Sequence, residues 1–417
     1  MGVNLLMQRD NQKLSIGIIG CGASALFSSI ILSKKNYKVT VFEKNPKAGK
    51  KLLATGNGKC NITNQNLTLN HFFSANLTFI QYPIETFGFR EFSKFCEEIG
   101  LNLTTNDNGK TYPASLQASS VVDVLYQEAL ENGVAFHFNS MVEDIAFKEK
   151  AYVLCDGKTH TFDKVVIATG SIAMEKLGGS ESGYGFAKKF GHTIITPLPS
   201  LVQLTSNDKE IYPLNGVKTE ANITLTINNK PQKTLFGDIL FTNYGVSGNA
   251  ILDMSREANM GILNKQKIDI LVDIFPNMDK NKLLALLEKK KKLLGKKKKE
   301  FLLLSLVNNK LIDFILKKAK IAHHKQFIDD LDKKDLLNIV YALKSIKISI
   351  DGSKGFENAE VVAGGVCVDE VDSKTMESKK RKGLYFCGEV LDVDGACGGY
   401  NLHWAWASAF VMASNMK

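Results

Sequence analysis

The stretch LSIGIIGCGASA, residues 14–25, constrains the fold of this chain more than any other part of the sequence. An apolar strand pattern leads into Gly20 and Gly22, a helical pattern follows to residue 35, and a second strand pattern, KVTVFE, ends in Glu43. The first glycine of such a turn allows a sharp bend, the second lets the backbone approach a pyrophosphate, and an acidic residue about 20 positions later can accept hydrogen bonds from a ribose. The spacing therefore predicts a Rossmann-like βαβ unit that binds a dinucleotide. The alternative is an ordinary glycine turn in a βαβ unit.

Two later segments favour FAD over NAD as that dinucleotide. The strand pattern VVIATG ends in Ala168, Thr169 and Gly170, which is typical of chains that return past a bound FAD. The pattern GLYFCGE ends in Gly388 and Glu389, where an acidic residue suits the ribityl chain. No second GxGxxG pattern stands at a strand–helix junction, so the sequence predicts one bound FAD and no separate NAD domain.

The loop TGNGKCNITN, residues 55–64, has three interpretations: a metal or redox site, a phosphate cradle, or an ordinary turn. It follows the second strand and the lysines of AGKKLL, in the region that passes a bound FAD. Glycines there allow close approach of the backbone, and Asn57, Asn61 and Asn64 can hydrogen-bond the cofactor or fix the loop. The phosphate cradle is therefore the favoured interpretation. Cys60 has no neighbouring cysteine, and we expect it to be a small packed residue, with direct flavin chemistry as the alternative.

The bulk composition excludes several classes of protein. A chain of 417 residues suggests two or three domains. Its seven cysteines are odd in number and form no CxxC pair, which argues against a disulfide framework and a zinc site and favours a reducing, cytoplasmic compartment. The apolar runs are far shorter than a membrane span. The net charge of +10 comes from 53 basic residues, of which only four are arginine. Such a lysine excess is more typical of solvated faces than of a nucleic-acid interface, so nucleic acid is the less favoured partner.

The chain also changes character along its length. Residues 195–275 are strand-rich, and residues 279–344 are helical, with leucines at a spacing of three to four. The helical stretch has the character of an insert, because strand-like and glycine-rich sequence resumes after it at KISIDG.

The end of the chain predicts a second contact with the cofactor. The residues GGYNL, 398–402, precede the helical pattern LHWAWASAFVMAS. In a doubly wound sheet the starts of such helices face the cofactor. We therefore expect the first N–H groups of this helix, with Asn401, to lie beside the flavin ring and stabilise negative charge on the reduced flavin. A plain helix entry is the alternative. His403 is interpreted either as a residue facing the flavin or as a packed one.

Several segments occur in an order that resembles one bacterial family: GIIGCGASA, EKNPKAGKKLLATGNGKCNITN, GYGFAKKFGHTIITPLPSLVQL, LFGDILFTNYGVSGNAILDMS, AEVVAGGV, KTMESK and GLYFCGEVLDVDGACGGYNLHWAWASA. Together they resemble the flavoprotein family that includes aminoacetone oxidases and bile-acid enone reductases. The resemblance implies an α/β, glutathione-reductase-like FAD-binding domain with an inserted β-barrel that is itself interrupted by a helical subdomain. The resulting boundaries are residues 1–194 and 362–417 for the FAD-binding domain, 195–278 and 345–361 for the barrel, and 279–344 for the helical subdomain.

Four positions depart from the family's pattern. Asn243, Asn249, His403 and Ala409 stand where the resemblance leads us to expect His, Pro, Gln and Gly. The first two lie in a barrel loop that the resemblance implies faces the substrate, so the identity of the substrate is not carried over.

The predicted sites follow from the motifs and the resemblance together. The candidates for catalysis are His403, Asn243 and Cys60, and no metal ligand is predicted. The residues predicted to bind FAD are Gly20, Gly22, Ala23, Ser24, Glu43, Lys44, Lys51, Asn57, Gly58, Cys60, Asn61, Val142, Ala168, Thr169, Gly170, Gly388, Glu389, Gly399, Asn401 and Leu402.

The predicted function is that of an FAD-dependent oxidoreductase of small molecules, with hydride transfer at flavin N5. The reaction would be amine oxidation, or reduction of a C=C or C=O group with NAD(P)H as a transient electron donor. The alternative is a flavin-containing factor that binds or modifies RNA. A monomer or homodimer without a membrane span is expected.

Overall fold

The computed structural model describes residues 13–417, which form two compact units. The first unit extends to Pro197 and resumes at Val361, and the second comprises Leu198–Glu360. Each unit is built around a hydrophobic core of its own. The finer division of the second unit into a barrel and a helical subdomain stays a prediction.

The secondary structure is mixed throughout. The strands, in chain order, are β1 (Ser15–Ile19), β2 (Lys38–Phe42), β3 (Thr63–Asn64), β4 (Phe72–Phe73), β5 (Leu103–Thr105), β6 (Lys110–Pro113), β7 (Ala135–His137), β8 (Val142–Phe147), β9 (Ala151–Cys155), β10 (Lys158–Phe162), β11 (Lys164–Ile167), β12 (Ile194–Ser200), β13 (Leu204–Thr205), β14 (Lys218–Ile227), β15 (Lys230–Phe241), β16 (Gly245–Ser247), β17 (Ile268–Asp273), β18 (Ile346–Ile350), β19 (Gly352–Ser353), β20 (Val361–Val366), β21 (Leu384–Phe386) and β22 (Asp394–Gly395). The helices are α1 (Ala23–Lys34), α2 (Leu77–Thr86), α3 (Phe89–Glu98), α4 (Ala118–Glu131), α5 (Ser182–Lys189), α6 (Asn249–Leu263), α7 (Lys280–Leu294), α8 (Asn309–Lys318), α9 (Lys333–Lys344) and α10 (Tyr400–Asn415).

The first unit is organised around a five-stranded parallel sheet in the order β21-β11-β1-β2-β7. Ile16 and Ile18 of the central strand are fully buried, as are Val165 and Val166 of its neighbour β11. Strands that are buried on both faces of a sheet have nearly continuous apolar sequences, and the sequence of β1 shows this pattern. The predicted Rossmann-like α/β fold with a parallel sheet is confirmed.

Helix α1 connects β1 to β2 and is buried on almost every side. Its sequence therefore lacks a polar stripe, and the hydroxyl groups of Ser28 and Ser29 donate to backbone carbonyls three residues earlier in the helix. Helix α10, which contains the buried Trp404 and Trp406, packs against α1. The two helices thus pack side by side as one layer.

The second unit contains a seven-stranded antiparallel sheet in the order β18-β17-β14-β15-β16-β13-β19. In β18, Ile346, Ile348 and Ile350 are buried while the residues between them are exposed, the alternation of a half-buried strand. The first and last strands of this order, β18 and β19, are separated in the chain only by Asp351, whose N–H donates to the carbonyl of Thr205 in β13.

The helices of the second unit show why sequence patterns locate some elements and miss others. Side chains cap the starts of α7, α8 and α9, where Asp279, Asn308 and Asp332 accept backbone N–H groups of the first turn. These helices fall in the segment predicted to be helical. Helix α6, in contrast, lies within residues 195–275, which were predicted to be strand-rich and contain five complete strands and most of a sixth, so this one helix was missed. Its buried residues Ala250, Met254 and Ala258 recur every four residues, which is a helical period.

Candidate functional site

The two glycines of the first turn have different structural roles. Gly20 has a φ of +97°, and a Cβ there would lie 2.5 Å from the carbonyl oxygen of Ala168, so only glycine lets β1 and β11 end this close together. Gly22 has an ordinary extended conformation, and a Cβ there would meet nothing within 4 Å. The glycine at position 22 therefore keeps open space in front of the helix that follows.

That open space faces the start of α1. Within the described chain no side chain caps this helix, and its first backbone bond runs from the N–H of Leu26 to the carbonyl of Gly22. The N–H groups of Ala23 and Ser24 consequently point out of the helix without an acceptor in a preceding turn. Free N–H donors, the positive end of the helix dipole and open space at Gly22 together suit an anionic group such as a phosphate.

Glu43 lies at the end of β2, beside the glycine turn, and its carboxylate is almost completely buried. One oxygen, Oε2, accepts the backbone N–H of Cys21 at 2.8 Å. The other, Oε1, accepts the backbone N–H and the side-chain amide of Asn45 at 2.7 and 2.6 Å. These donors fix the orientation of the carboxylate toward the turn, while Oε2, which accepts only one of them, keeps acceptor capacity for a further donor such as a ribose hydroxyl.

A cavity opens at the carboxyl ends of β1 and β2. Its lining includes Gly20, Glu43, Lys44, Val142, Thr169 and Phe186. Five of these six residues were predicted to bind the cofactor, and the structure brings them together from four separate segments. Phe186, Met141 and Ser182 line the same cavity and were not among the predicted cofactor residues, although Phe186 lies in the GYGFAKKFG segment that contributes to the family resemblance.

The segment Ala168–Gly170 crosses the end of the sheet directly beside this turn. The N–H of Ala168 donates to the carbonyl of Ile19 at 2.9 Å, which continues the β1–β11 ladder. Gly170 has a φ of +69°, and a Cβ there would meet nothing within 4 Å. It thus borders open space in the same way as Gly22.

Glu389 forms the second acidic position of the site. Its Oε2 lies 2.7 Å from Nζ of Lys51, and its Oε1 accepts the N–H of Val362 at 3.2 Å. About a quarter of the Lys51 side chain and a fifth of the Glu389 side chain are exposed, so the pair borders solvent. Both residues were predicted to bind FAD, but their mutual ion pair was not.

Gly388 connects this acidic position to both buried helices. It has a φ of +78°, and a Cβ there would lie 2.6 Å from Oγ of Ser24 in α1. Its N–H donates to Oγ of Ser408, and its carbonyl accepts the indole N–H of Trp404, both in α10. Glycine is required because the backbone runs between the two helices with no room for a side chain.

The loop of residues 55–64 is folded back on itself by left-handed residues. Gly56, Asn57 and Gly58 have positive φ and are exposed, and the N–H of Cys60 donates to the carbonyl of Thr55 at 2.9 Å. The loop ends against α10, since the indole N–H of Trp406 donates to the carbonyl of Ile62 at 2.9 Å. The predicted cofactor residues Asn57 and Gly58 therefore lie on its solvent side.

Asn61 lies where this loop meets the start of α10. A Cβ at Gly399 would lie 2.4 Å from the carbonyl oxygen of Thr63 and 2.8 Å from Oδ1 of Asn61, and Gly399 itself has a φ of +96°. That Oδ1 atom is buried and has no hydrogen-bond partner among the described residues. A buried acceptor of this kind is costly unless another molecule supplies a donor.

The start of α10 is also uncapped by any side chain in the described chain. Asn401 does not direct its amide outward. Its Oδ1 accepts the N–H of Gly395 at 2.8 Å, and its Nδ2 donates to the carbonyl of Gly395 at 2.7 Å. Asn401 thus holds the preceding loop in place, while the backbone N–H groups of the first turn, including that of Leu402, point out of the helix.

Comparison with known proteins decides the family. The family model described as the HI0933-like protein Rossmann domain matches residues 14–415, nearly the whole chain. The chain belongs to the HI0933-like family. The resemblance stated from the motifs is confirmed, and at the level of this family so is the prediction of an FAD-dependent flavoprotein oxidoreductase.

Two relatives of this HI0933-like protein are similar along almost their whole length. The chain is 32% identical over 399 residues to the 3-dehydro-bile acid delta(4,6)-reductase of Clostridium scindens, covering 95% of this chain and 97% of the relative. It is also 32% identical over 407 residues to the ribosomal RNA dihydrouridine synthase of Haemophilus influenzae, covering 96% and 98%. Among solved structures, the 3-ketosteroid-delta4-(5alpha)-dehydrogenase of Rhodococcus jostii matches with a TM-score of 0.50 at 12% identity, covering 98% of both chains, which shows likeness of fold only.

His403, the first catalytic candidate, is fully buried in this HI0933-like protein. Its Nε2–H donates to the carbonyl of Phe87 at 2.9 Å, and the hydroxyl of Thr63 donates to its Nδ1 at 2.7 Å. Burial lowers the pKa of His403 to about 4. A neutral imidazole with both nitrogens engaged in the core cannot reach a substrate, so we correct the catalytic prediction: His403 fixes the loop strand β3 against α10.

Cys60 is likewise a core residue. Its side chain is fully buried, and burial raises the pKa of the thiol to about 11. A protonated, inaccessible thiol is neither a nucleophile nor a redox partner, so the structure favours the packed residue that was the first interpretation and not flavin chemistry.

Asn243 lies in the second unit, at the exposed tip of the β15–β16 turn. This position neither supports nor excludes contact with a substrate, so its role stays a prediction. In residues 13–417, no group of three or more His, Cys, Asp and Glu side chains is arranged to hold a metal ion. No helix in that part of the chain is long and apolar enough to cross a bilayer.

Proposed function

We propose that this chain reduces a carbon–carbon double bond conjugated to a carbonyl group, with FAD as its redox group. The observation that carries the proposal is the shared chemistry of two full-length relatives. A delta(4,6)-reductase of a 3-dehydro-bile acid saturates a double bond of an unsaturated ketone. A dihydrouridine synthase saturates the C5–C6 bond of uracil, which is conjugated to the C4 carbonyl.

The residues of the first unit fit FAD. The vacant volume at Gly22, with the free N–H groups of α1, suits the pyrophosphate, and the fixed carboxylate of Glu43 suits the adenosine ribose. Glu389 suits the ribityl hydroxyl groups. Two buried polar atoms without partners in the described chain, Oδ1 of Asn61 and the hydroxyl of Tyr184, are further positions where a bound cofactor would restore hydrogen bonding.

When bound, FAD supplies hydride transfer at its N5 position. The chain's own contribution is to orient and polarise. The start of α10 presents unpaired N–H groups and the positive end of the helix dipole. Both would stabilise the negative charge on the reduced flavin. Asn401 keeps this helix start rigid through its two bonds to Gly395, so the donors are already in place before a reaction.

Saturation of a conjugated double bond also needs a proton at the carbon next to the carbonyl. Neither His403 nor Cys60 can deliver it, because both are buried in the core. Asn243 carries no titratable proton. The proton donor is therefore another group or water, and the three candidates are not required for that step.

Uracil within RNA is the second candidate substrate. The specific observation in its favour is the net charge of +10, which suits a polyanionic partner. A free unsaturated ketone needs no such charge.

NAD(P)H would bind only transiently, since the topology of the described chain contains a single Rossmann sheet with one glycine turn of this type.

The β-barrel predicted for the insert is a proposal of the same kind. Strands β18 and β19 form one continuous stretch interrupted only at Asp351, and they pair with β17 and with β13 respectively. We infer that the seven-stranded sheet closes on itself through this stretch.

The proposal is tested by anaerobic reoxidation of the reduced holoprotein. The flavin is reduced with dithionite, and a 3-keto-4-ene steroid, a simple cyclic enone or a uridine oligonucleotide is then added without oxygen. Return of the oxidised flavin spectrum with formation of the saturated product is the expected result. If no acceptor reoxidises the flavin, while aminoacetone reduces the oxidised protein and hydrogen peroxide forms in air, the reaction is amine oxidation and the proposal is wrong.

A further inference from the structure

The positive charge of the chain is concentrated in one segment. Residues 279–344 contain 18 lysines, no arginine and 8 acidic residues, an excess equal to the whole chain's net charge of +10. The remaining residues therefore carry as many acidic as basic side chains. A charge bias spread over all solvated faces would not leave the rest of the chain neutral, so this concentration calls for a local explanation.

Some lysines of this segment are paired within the second unit, among them Lys318 with Glu210 and Lys344 with Asp273. Lys320, Lys333 and Lys334 are exposed and have no ion pair among the described residues.

The unpaired lysines are most concentrated in the chain around the end of α7. Lys289, Lys292, Lys296 and Lys298 are exposed and form no ion pair within the part of the chain that the structure describes. We call these four residues, with Phe301 and Phe327, the lysine surface.

The backbone of the lysine surface is held rigidly. The N–H of Lys299 donates to the carbonyl of Gln326 at 2.9 Å, and the N–H of Ile328 donates to the carbonyl of Lys297 at 3.0 Å. Gly295, between the two lysine runs, permits this arrangement, because a Cβ there would lie 2.0 Å from a carboxylate oxygen of Asp329. Lys289 and Lys292 lie three residues apart on α7, a spacing at which like charges repel. The carboxylate of Asp329, beside Gly295, offsets part of the local positive charge, and a bound polyanion would offset more.

Two aromatic rings accompany these charges. Phe301 is 40% exposed and Phe327 is 46% exposed, and Nζ of Lys297 lies 5.2 Å from the centre of the Phe301 ring. The backbone of Phe327 is paired with that of Lys298. A fixed positive surface with exposed aromatic rings matches what single-stranded nucleic acids need, namely cations for the phosphates and rings for stacking on the bases.

A membrane surface fits less well. A helix that lies on a membrane inserts a continuous apolar face opposite its lysines. Leu283 and Leu287 of α7 are fully buried in the core of the second unit, and Leu284, Leu286 and Leu294 are partly buried against it. Among the leucines near the end of α7, Leu293 is the most exposed, at 72%. The other exposed apolar side chains nearby, Phe301, Leu304 and Phe327, lie outside α7 in separate short segments, so they do not extend Leu293 into the continuous apolar face of one helix.

We propose that the lysine surface binds single-stranded RNA through its phosphates and stacked bases. The proposal rests on the proposed function in that it gives the uracil-in-RNA substrate a docking surface. Its test measures binding alone, so the two can fail separately. DNA offers the same phosphates and bases, and comparable binding of a DNA strand is expected because neither lysine nor phenylalanine reads the 2′-hydroxyl.

The test is fluorescence anisotropy of the holoprotein with a labelled single-stranded RNA of mixed sequence, measured over a range of salt concentrations. The variant Lys292→Gln/Lys296→Gln/Lys298→Gln removes three charges from the surface. We expect about a 10-fold weaker Kd at moderate salt and a salt-dependence slope that is lower by about 2, because each phosphate that is no longer neutralised reduces the slope by roughly 0.7.

A matched control removes the same number of charges elsewhere. Lys38, Lys158 and Lys382 are exposed lysines of the first unit, and their triple replacement by Gln should leave both Kd and slope unchanged. Phe327→Leu should weaken binding several-fold without changing the slope, since stacking is lost and charge is not. FAD content and thermal unfolding verify that every variant is folded.

Several outcomes would overturn the proposal. Equal losses in both triple variants would mean that only overall charge matters. No salt-sensitive binding of RNA by the wild type, or binding of DNA without RNA, would remove the surface as an RNA site. Vesicles containing anionic phosphatidylglycerol that bind the protein and displace the RNA would assign the surface to membranes instead. If RNA binds as expected but no uridine is reduced, the proposal of an RNA-binding surface is supported and uracil in RNA is excluded as a substrate.

Discussion

The two glycines of the first turn allow folding and cofactor binding to be separated. Replacing Gly22 with valine puts a branched side chain into space that the protein leaves empty, at a φ of −88° that any residue adopts. The apoprotein should lose only the small difference between glycine and valine at a helix start, about 1 kcal/mol or less. FAD binding should suffer far more, because the side chain occupies the volume in front of the N–H groups of α1.

The expected loss of affinity follows from the hydrogen bonds involved. If two N–H groups of α1 donate to a charged pyrophosphate, each is worth about 1.5–3 kcal/mol. Their loss amounts to roughly 3–6 kcal/mol, or a Kd that is weaker by about 10² to 10⁴. Titration of apoprotein with FAD, followed by quenching of flavin fluorescence, measures this, and thermal unfolding of the apoprotein measures the cost to the fold.

Replacing Gly20 with alanine is the matched comparison. Here the Cβ would meet the carbonyl oxygen of Ala168 at 2.5 Å in a backbone conformation with φ of +97°. Positive φ and the displacement of β11 should together cost about 3 kcal/mol or more in the apoprotein. A Gly22→Val variant that binds FAD as tightly as the wild type would place the pyrophosphate elsewhere. A Gly20→Ala variant as stable as the wild type would remove the reason given for that glycine.

Three further results are expected. The pKa of His403 is about 4 in the folded protein, whereas its ordinary value is 6.5, so the stability that this group contributes is complete above pH 6.5 and falls by roughly 3 kcal/mol as the pH falls toward 4. His403→Gln keeps hydrogen-bonding capacity without titrating, so the free energy of unfolding in urea should depend less on pH across that range. An unchanged pH dependence would contradict the burial argument. A double-mutant cycle of Lys51→Gln and Glu389→Gln, read by chemical unfolding of the apoprotein, should give a coupling of about 0.5–1 kcal/mol because the pair is partly exposed, and zero coupling would mean that the ion pair is not formed. Asn401→Leu should retain the fold but lower the flavin reduction potential in a dye-coupled titration, because Gly395 loses both hydrogen bonds that hold the start of α10 rigid. A potential equal to that of the wild type would mean that this helix start does not act on the flavin.

The elements that could be predicted from the sequence are those determined by residues next to one another in the chain. Helix α1 was expected at residues 23–35 and runs from Ala23 to Lys34, because a glycine turn and an apolar helical pattern are contiguous in the chain. The final helix was expected from Leu402, and it begins two residues earlier, at Tyr400. Helix α6 was missed because the strands on both sides of it dominated the interpretation of residues 195–275.

The errors at the site have a common physical origin. His403 has the chemistry of a catalytic residue, and nothing in its neighbouring sequence reveals that Thr63 and Phe87, more than 300 positions away, take both of its nitrogens. The Lys51–Glu389 pair joins residues 338 positions apart. A sequence pattern reports which groups are present and the local conformation, whereas protonation and availability depend on contacts formed only in the fold.

One arrangement explains why residues scattered along the chain form a single candidate site. Gly388 lies against Ser24 at the start of α1, and its backbone is bonded to Ser408 and Trp404 of α10. The indole N–H of Trp406, in the same helix, holds the carbonyl of Ile62 in the loop that was first interpreted as a cradle. Helix α10 therefore connects the end of β21, the start of α1 and that loop. A change that shifts α10 should move Gly388 and the end of that loop together, because both are bonded to side chains of this one helix.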